Sequence, residues 1–145
     1  MSEDLLYRRD LLRLAADASH AGHLPRAHAS ASEHNPACGD RVTVELALDG
    51  KRIVAVAHDT HACVLAQASA ALLAGLGPGR DKAGLKALAA GVEAMLAGGP
   101  PPEPGYGAFV GATALPGRHV CVMLPLRAAL KALEGAEPGG SRTKY

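Results

Sequence analysis

Asn35-Pro36-Ala37-Cys38-Gly39-Asp40-Arg41-Val42-Thr43-Val44-Glu45-Leu46-Ala47-Leu48-Asp49-Gly50 is the stretch from which the rest of the chain is read. Val42–Leu48 alternates apolar and polar residues at the period of a strand. Asp49-Gly50 is a two-residue hairpin signal, and Arg52–Ala57 returns as the second strand. The earlier part of the stretch is of another kind. Pro36 restricts the backbone ahead of Cys38. Gly39 has no Cβ, so the chain can turn sharply and leave Cys38 and Asp40 facing one point. Taken alone, this part reads equally well as a turn feeding a strand, with Cys38 as a small hydrophobe.

Working outward, Asp4–Ala18 has the spacing of a helix, with Leu5, Leu6, Leu11, Leu12 and Leu14 recurring and Ser2 or Asp4 as cap. Residues 19–36 carry His20, His23, His28 and His34 without regular periodicity, and a third strand is expected within 23–33. Downstream, Asp59 or Thr60 is expected to cap a helix running to about Ala74. Gly75–Arg80 reads as a turn, and Asp81 as the cap of a helix to about Leu96. The run Gly98-Gly99-Pro100-Pro101-Pro102-Glu103-Pro104-Gly105-Tyr106-Gly107 reads as an irregular loop inside the domain. A last helix is expected from about Val122 to Leu133. The expected architecture is α+β, a small antiparallel three-stranded sheet packed against several helices. One domain is expected over residues 1–135, with a tail over 136–145.

At 145 residues the chain can bury a substantial core. Aromatic residues make up only 3%, with no Trp and one Phe, so Ala, Leu and Val are expected to fill that core. A net charge of +1 gives no electrostatic case for nucleic acid or an anionic membrane as partner. No stretch approaches the roughly 18 apolar residues of a membrane span. The segment Met1-Ser2-Glu3-Asp4 is acidic and lacks the pattern of a secretory leader, so a cytoplasmic location is expected.

Three cysteines, Cys38, Cys63 and Cys121, are an odd number for a disulfide framework and favour reduced thiols with metal or catalytic chemistry. With the Asp40 carboxylate they make a four-ligand set if the fold gathers them. Cys63 and Cys121 both fall near expected helix N-termini, where backbone N–H groups favour thiolate, and Arg118 adds a cation near Cys121. The alternative for each is a buried structural cysteine. Ala62, Ala66, Ala68 and Ser69 would let another element approach the Cys63 helix closely. His61 and His119, each two positions before a cysteine, read as partly exposed polar residues, with a role as ligand or proton carrier as the alternative. The four histidines at 20–34 lack paired zinc spacing and read as loop residues. Gly75-Leu76-Gly77-Pro78-Gly79 lacks the Gly-Lys-Ser/Thr ending of a phosphate loop.

Three motifs carry a resemblance. Asn35-Pro36-Ala37-Cys38-Gly39-Asp40 resembles the N-P-x-C-G-D signature of the IscU/SufU/NifU N-terminal family of iron–sulfur cluster assembly proteins. Ala62-Cys63-Val64-Leu65-Ala66-Gln67-Ala68-Ser69 resembles its G-C-x-x-x-x-A-S segment, and Arg118-His119-Val120-Cys121-Val122-Met123-Leu124 its R-x-x-C-x-x-L segment. The resemblance covers roughly residues 4–135 and is closest to the SufU branch. The Cys63–Cys121 interval is long, as in SufU proteins, and Val120 stands where IscU proteins carry histidine. The family's fold, the SufE/IscU-like sandwich, agrees with the α+β pattern.

The resemblance implies that Cys38, Asp40, Cys63 and Cys121 bind Zn²⁺, or iron as a [2Fe–2S] cluster, and that Cys121 receives persulfide sulfur. It implies a cysteine desulfurase as sulfur donor and downstream iron–sulfur proteins as acceptors. Two versions follow: a scaffold on which the cluster is built, or a zinc-dependent sulfur acceptor in which a docking desulfurase takes over a ligand position and frees Cys121. Neither is a conventional turnover enzyme. A structural zinc domain that only binds a partner is the third reading. Departures from the family lie at the periphery. The chain keeps Leu6-Tyr7-Arg8 and Gly22, but Arg13–Ala21 departs from the family's D-H-Y-x-N-P-x-N-x-G-like string, and His61-Ala62 stands in place of the glycine before Cys63. Leu115-Pro116-Gly117-Arg118 matches the chaperone-contact motif L-P-P-V-K poorly, so an Hsp70-type partner is not supported. Asp40, the hard oxygen among soft sulfurs, is the ligand most easily displaced. In the family this position tunes how readily the bound metal or cluster is released, so the resemblance implies that an Asp40→Ala protein holds its metal or cluster longer than wild type against a chelator, and faster loss would remove the idea.

Overall fold

The computed structural model describes residues 8–37 and 39–136. Leu5, Leu6, the caps Ser2 and Asp4, Cys38 and residues 137–145 lie outside them. The first described helix, α1, is Arg9–Ala16, and it buries Leu11. Three strands follow: β1 Ala29–Asn35, β2 Asp40–Asp49 and β3 Arg52–His61. They form one antiparallel sheet in the order β1-β2-β3. Two long helices come next, α2 Val64–Leu76 and α3 Lys82–Leu96. A 3-10 segment over Pro104–Ala114 and a short one over Pro116–Arg118 lead into α4, His119–Gly135.

The β2–β3 hairpin forms as its alternation predicts. Val42, Val44 and Leu46 of β2 are fully buried on one face, beside Val56 and His58 of β3. The turn residues are Gly50-Lys51, one position later than the Asp49-Gly50 reading, and Gly50 has a φ of +63°. A register shift between Ala47 and Leu48 accommodates the change. β3 runs four residues beyond Ala57, to His61, because Arg41, Val42, Thr43 and Val44 of β2 offer it partners. Asp59 and Thr60 are consequently strand residues. They do not cap α2, whose N-cap position is Cys63.

The third strand, β1, begins at Ala29, at the far end of the expected window. Its sequence, Ala-Ser-Ala-Ser-Glu-His-Asn, has little hydrophobic contrast, as suits an edge strand. Lys131 of α4 donates to the Ser32 carbonyl (3.0 Å). At the opposite edge, His58 N–H donates to the His20 carbonyl (3.0 Å) and Gly22 N–H to the His58 carbonyl (2.8 Å). The chain between these edges is pinned by Glu45, which accepts from Leu24 N–H (2.8 Å) and pairs with His23 (2.7 Å).

Helix α2 is apolar almost all round because α1, α4 and the sheet surround it. Asp81 caps α3 as expected, accepting from Gly84 N–H (2.8 Å). The largest departure is in the proline- and glycine-rich stretch. Its second part does not stay irregular: Pro104 opens the long 3-10 segment, which delivers Tyr106 and Phe109 to the core, both 0% exposed. Their ring centroids are 5.8 Å apart. Burying Phe109 alone contributes about 1.5–3 kcal/mol. The core is thus Ala, Leu and Val, as expected, plus two aromatic rings where the sequence shows a loop.

Close packing of this segment uses glycine. A Cβ on Gly91 of α3 would stand 2.6 Å from the Pro102 Cβ, whereas one on Gly75 of α2 would meet nothing within 4 Å. The same substitution should therefore have opposite signs. Gly75→Ala should stabilise the protein by about 0.5–1 kcal/mol through helix propensity. Gly91→Ala should destabilise it by about 1–3 kcal/mol through overpacking. Urea unfolding of the two variants checks this, and equal shifts would mean the stretch does not pack on α3.

Candidate metal centre

The turn before β2 is built by Asn35. Its side-chain oxygen accepts from Ala37 N–H (3.1 Å), and its carbonyl accepts from Gly39 N–H (2.8 Å). Gly39 adopts a φ of +77°, which an L side chain rarely tolerates. The turn delivers Asp40 as the first residue of β2, paired with Asn35. Antiparallel pairing of Arg41 with His61 then brings the end of β3, and Cys63 just after it, to the same end of the sheet. Helix α4 packs on β1, β2 and α2 and places Cys121, its third residue, over this corner.

One carboxylate oxygen joins the pieces. Asp40 Oδ2 accepts from the Cys63 backbone N–H at 3.3 Å and from the Cys121 thiol at 3.6 Å. One ligand atom from each of Asp40, Cys63 and Cys121 can be chosen so that all lie within 4.8 Å of one another. Among the described residues this is the only such group of three. Cys38, the fourth member of the expected set, lies outside the described residues. Asp40 and Cys63 are half-buried, and Cys121 is 3% exposed.

The electrostatics of Cys121 differ from the sequence expectation. Burial pushes its thiol well above the ordinary range, and the neighbouring Cys63 and Asp40 push in the same direction. Arg118 is exposed at the surface. Without a cation, Cys121 is held as a thiol.

The histidines play structural parts. His119 Nε2 faces the carbonyls of Ala112 (3.0 Å) and Thr113 (3.4 Å). His61 pairs with Asp59 at the surface (3.1 Å). His28 Nδ1 accepts from Leu48 N–H (3.0 Å), and His34 lies on β1, not in a loop. The sequence reading passed over His58. It is 3% exposed on the core face of β3, its Nδ1 contacts Thr60 Oγ1 (2.9 Å), and its Nε2 has no partner. Ending β3 at Ala57 hid it. Ser69, read only as a small residue, also bonds: its hydroxyl donates to the Val122 carbonyl (2.6 Å) and ties α2 to α4 beside the cysteines.

A three-stranded sheet packed against helices, with a thiol–carboxylate cluster at one corner that could hold a metal ion, is an α+β fold. The NifU-like N terminal domain model matches residues 6–110, and the chain belongs to that family. The chain is similar in structure to a NifU-like protein (N-terminal) from Brucella abortus, with a TM-score of 0.87 and 28% identity, covering 94% of this chain and 98% of the other. It is also similar to a putative iron–sulfur cluster assembly scaffold protein for the SUF system from Fervidobacterium islandicum, with a TM-score of 0.81 and 26% identity. That match covers 89% of this chain and 97% of the other. No curated protein matches the sequence.

Asp40→Asn removes both the charge and the stronger acceptor that hold the Cys121 proton. The pH midpoint for alkylation of Cys121 in metal-free protein should therefore move to lower pH. An unchanged midpoint would show that Asp40 has no part in setting it.

Proposed function

We propose that this chain is a cytoplasmic iron–sulfur cluster assembly protein. In this reading it accepts sulfur from a cysteine desulfurase, holds a metal through Cys38, Asp40, Cys63 and Cys121, and serves downstream iron–sulfur acceptor proteins. Residues 1–135 act as one unit. The observation that carries the reading is the convergence of Asp40, Cys63 and Cys121, from three separate parts of the chain, on one point. Reduced thiols at such a centre suit a reducing compartment. No helix among the described residues is long and apolar enough to cross a membrane.

The donor set fits a soft or borderline divalent ion. Zinc–sulfur bonds of about 2.3 Å and zinc–oxygen bonds of about 2.0–2.2 Å put neighbouring tetrahedral ligands roughly 3.4–3.8 Å apart. Donor atoms already within 4.8 Å of one another need only a small inward movement. This mutual closeness favours a single ion at rest, whereas a two-iron cluster spreads its ligands over two centres. Zn²⁺ is therefore the preferred resting metal, and assembly of a [2Fe–2S] cluster on the same residues is the second reading. When bound, the cation supplies the charge that turns a buried thiol into a thiolate.

The chain's own part in sulfur transfer falls to Cys121. As a thiolate it attacks the outer sulfur of the donor's persulfide. A new sulfur–sulfur bond forms on Cys121 as the donor's bond breaks, and the donor leaves as a cysteine thiolate. Before ionisation, Asp40 accepts from the Cys63 N–H and the Cys121 thiol and so holds the two residues side by side.

Metal and acid-labile sulfide content, measured anaerobically before and after incubation with a cysteine desulfurase, cysteine and Fe²⁺, tests the proposal. One tightly held zinc per chain, with sulfur appearing on Cys121, is the expected result. Iron and sulfide in equal amounts with visible absorption would establish the scaffold version. Zinc without sulfur uptake would leave only a structural zinc domain, and uptake of neither would overturn the reading.

A further inference from the structure

Cys121 lies in the first turn of α4, directly after the short 3-10 turn, whose Pro116 carbonyl accepts from the His119 N–H. Pro125 lies inside the same helix, four residues after Cys121. It has no N–H to give the Cys121 carbonyl, which is left without its usual helical donor.

Side chains tie this turn to its surroundings. His119 Nε2 contacts the Ala112 carbonyl at 3.0 Å and the Thr113 carbonyl at 3.4 Å, at the end of the 3-10 segment. Both partners are acceptors, so Nε2 carries the proton and is engaged as a donor. On the inner side, Ser69 donates to the Val122 carbonyl (2.6 Å). We infer that His119 is a positioning residue for Cys121: its hydrogen bond to the 104–114 segment fixes the turn that Pro125 leaves without a backbone donor. This deepens the metal-centre reading and rests on it for the metal half of the test. It also gives the 104–114 segment a part in the site, as the fixed body against which the turn is held.

Anaerobic Co²⁺ titration of the full chain tests it in wild type, His119→Ala and His119→Gln, and in Pro125→Ala with and without His119→Ala. Glutamine can place an amide N–H near the position of Nε2. His119→Ala should weaken Co²⁺ binding by about tenfold or more, the usual effect of losing an outer partner of a metal site. His119→Gln should restore most of it with an unchanged charge-transfer and d–d spectrum. The penalty of His119→Ala should shrink when Pro125→Ala supplies the missing backbone donor. Wild-type affinity in His119→Ala would overturn the proposal. A changed spectrum with lost affinity in His119→Gln would make His119 a ligand instead. An equal penalty with and without Pro125 would remove the proline argument. If wild type binds no Co²⁺, the metal reading fails, and alkylation of Cys121 in metal-free protein still decides. His119→Ala should then react faster than wild type and His119→Gln near the wild-type rate, because the turn that holds Cys121 has lost a tie. Equal rates in all three would overturn it.

Discussion

Everything at the candidate centre depends on one carboxylate oxygen. Asp40 Oδ2 accepts from the backbone that opens α2 and from the thiol in the first turn of α4, while its own main chain is the first rung of β2. Three elements far apart in sequence thus share an acceptor. This works because an antiparallel hairpin returns to where it started. Once β2 and β3 pair along most of their length, the residue before Arg41 and the residues after His61 must be neighbours. The alternation of Val42, Val44 and Leu46 buries one face, fixes the register and so aims Asp40.

The same geometry has an electrostatic cost. Bringing a buried thiol beside another thiol and a carboxylate raises the energy of its ionised form. A metal-free centre of this kind is a protonated, hydrogen-bonded corner of the core. Binding a divalent ion exchanges protons for charge, so affinity must rise with pH. A site with its donors crowded and its buried Cys121 thiol protonated is thus poised for a cation, and poorly suited to act as a free nucleophile.

How much of this was legible beforehand depended on local contrast in the sequence. The hairpin, the Asp81 cap and the N-P-x-C-G-D turn could be read because each rests on neighbours a few residues apart. β1 was harder: alternating alanine and serine at a sheet edge gives almost no hydrophobic signal, so its limits came out displaced. The extension of β3 to His61 was invisible because its residues are polar and are strand only through pairing with β2. That one error misplaced the start of α2 and concealed His58. The 3-10 segment was misread for a related reason. Proline and glycine mark where the chain bends, but Tyr106 and Phe109 are held by tertiary packing. At the site, residue types and the Cys121 position were legible. The raised energy of the Cys121 thiolate was not, because desolvation has no local sequence signature.

The two aromatic rings of the 104–114 segment have an optical consequence. The chain has no tryptophan and one phenylalanine, and Tyr106 and Phe109 are packed together in the core. Among the described residues, the chromophores in an ordered chiral setting all belong to this one segment. The near-ultraviolet circular dichroism that the described residues contribute is therefore less a measure of the whole tertiary structure than a local gauge of whether this stretch is seated against α2 and α3.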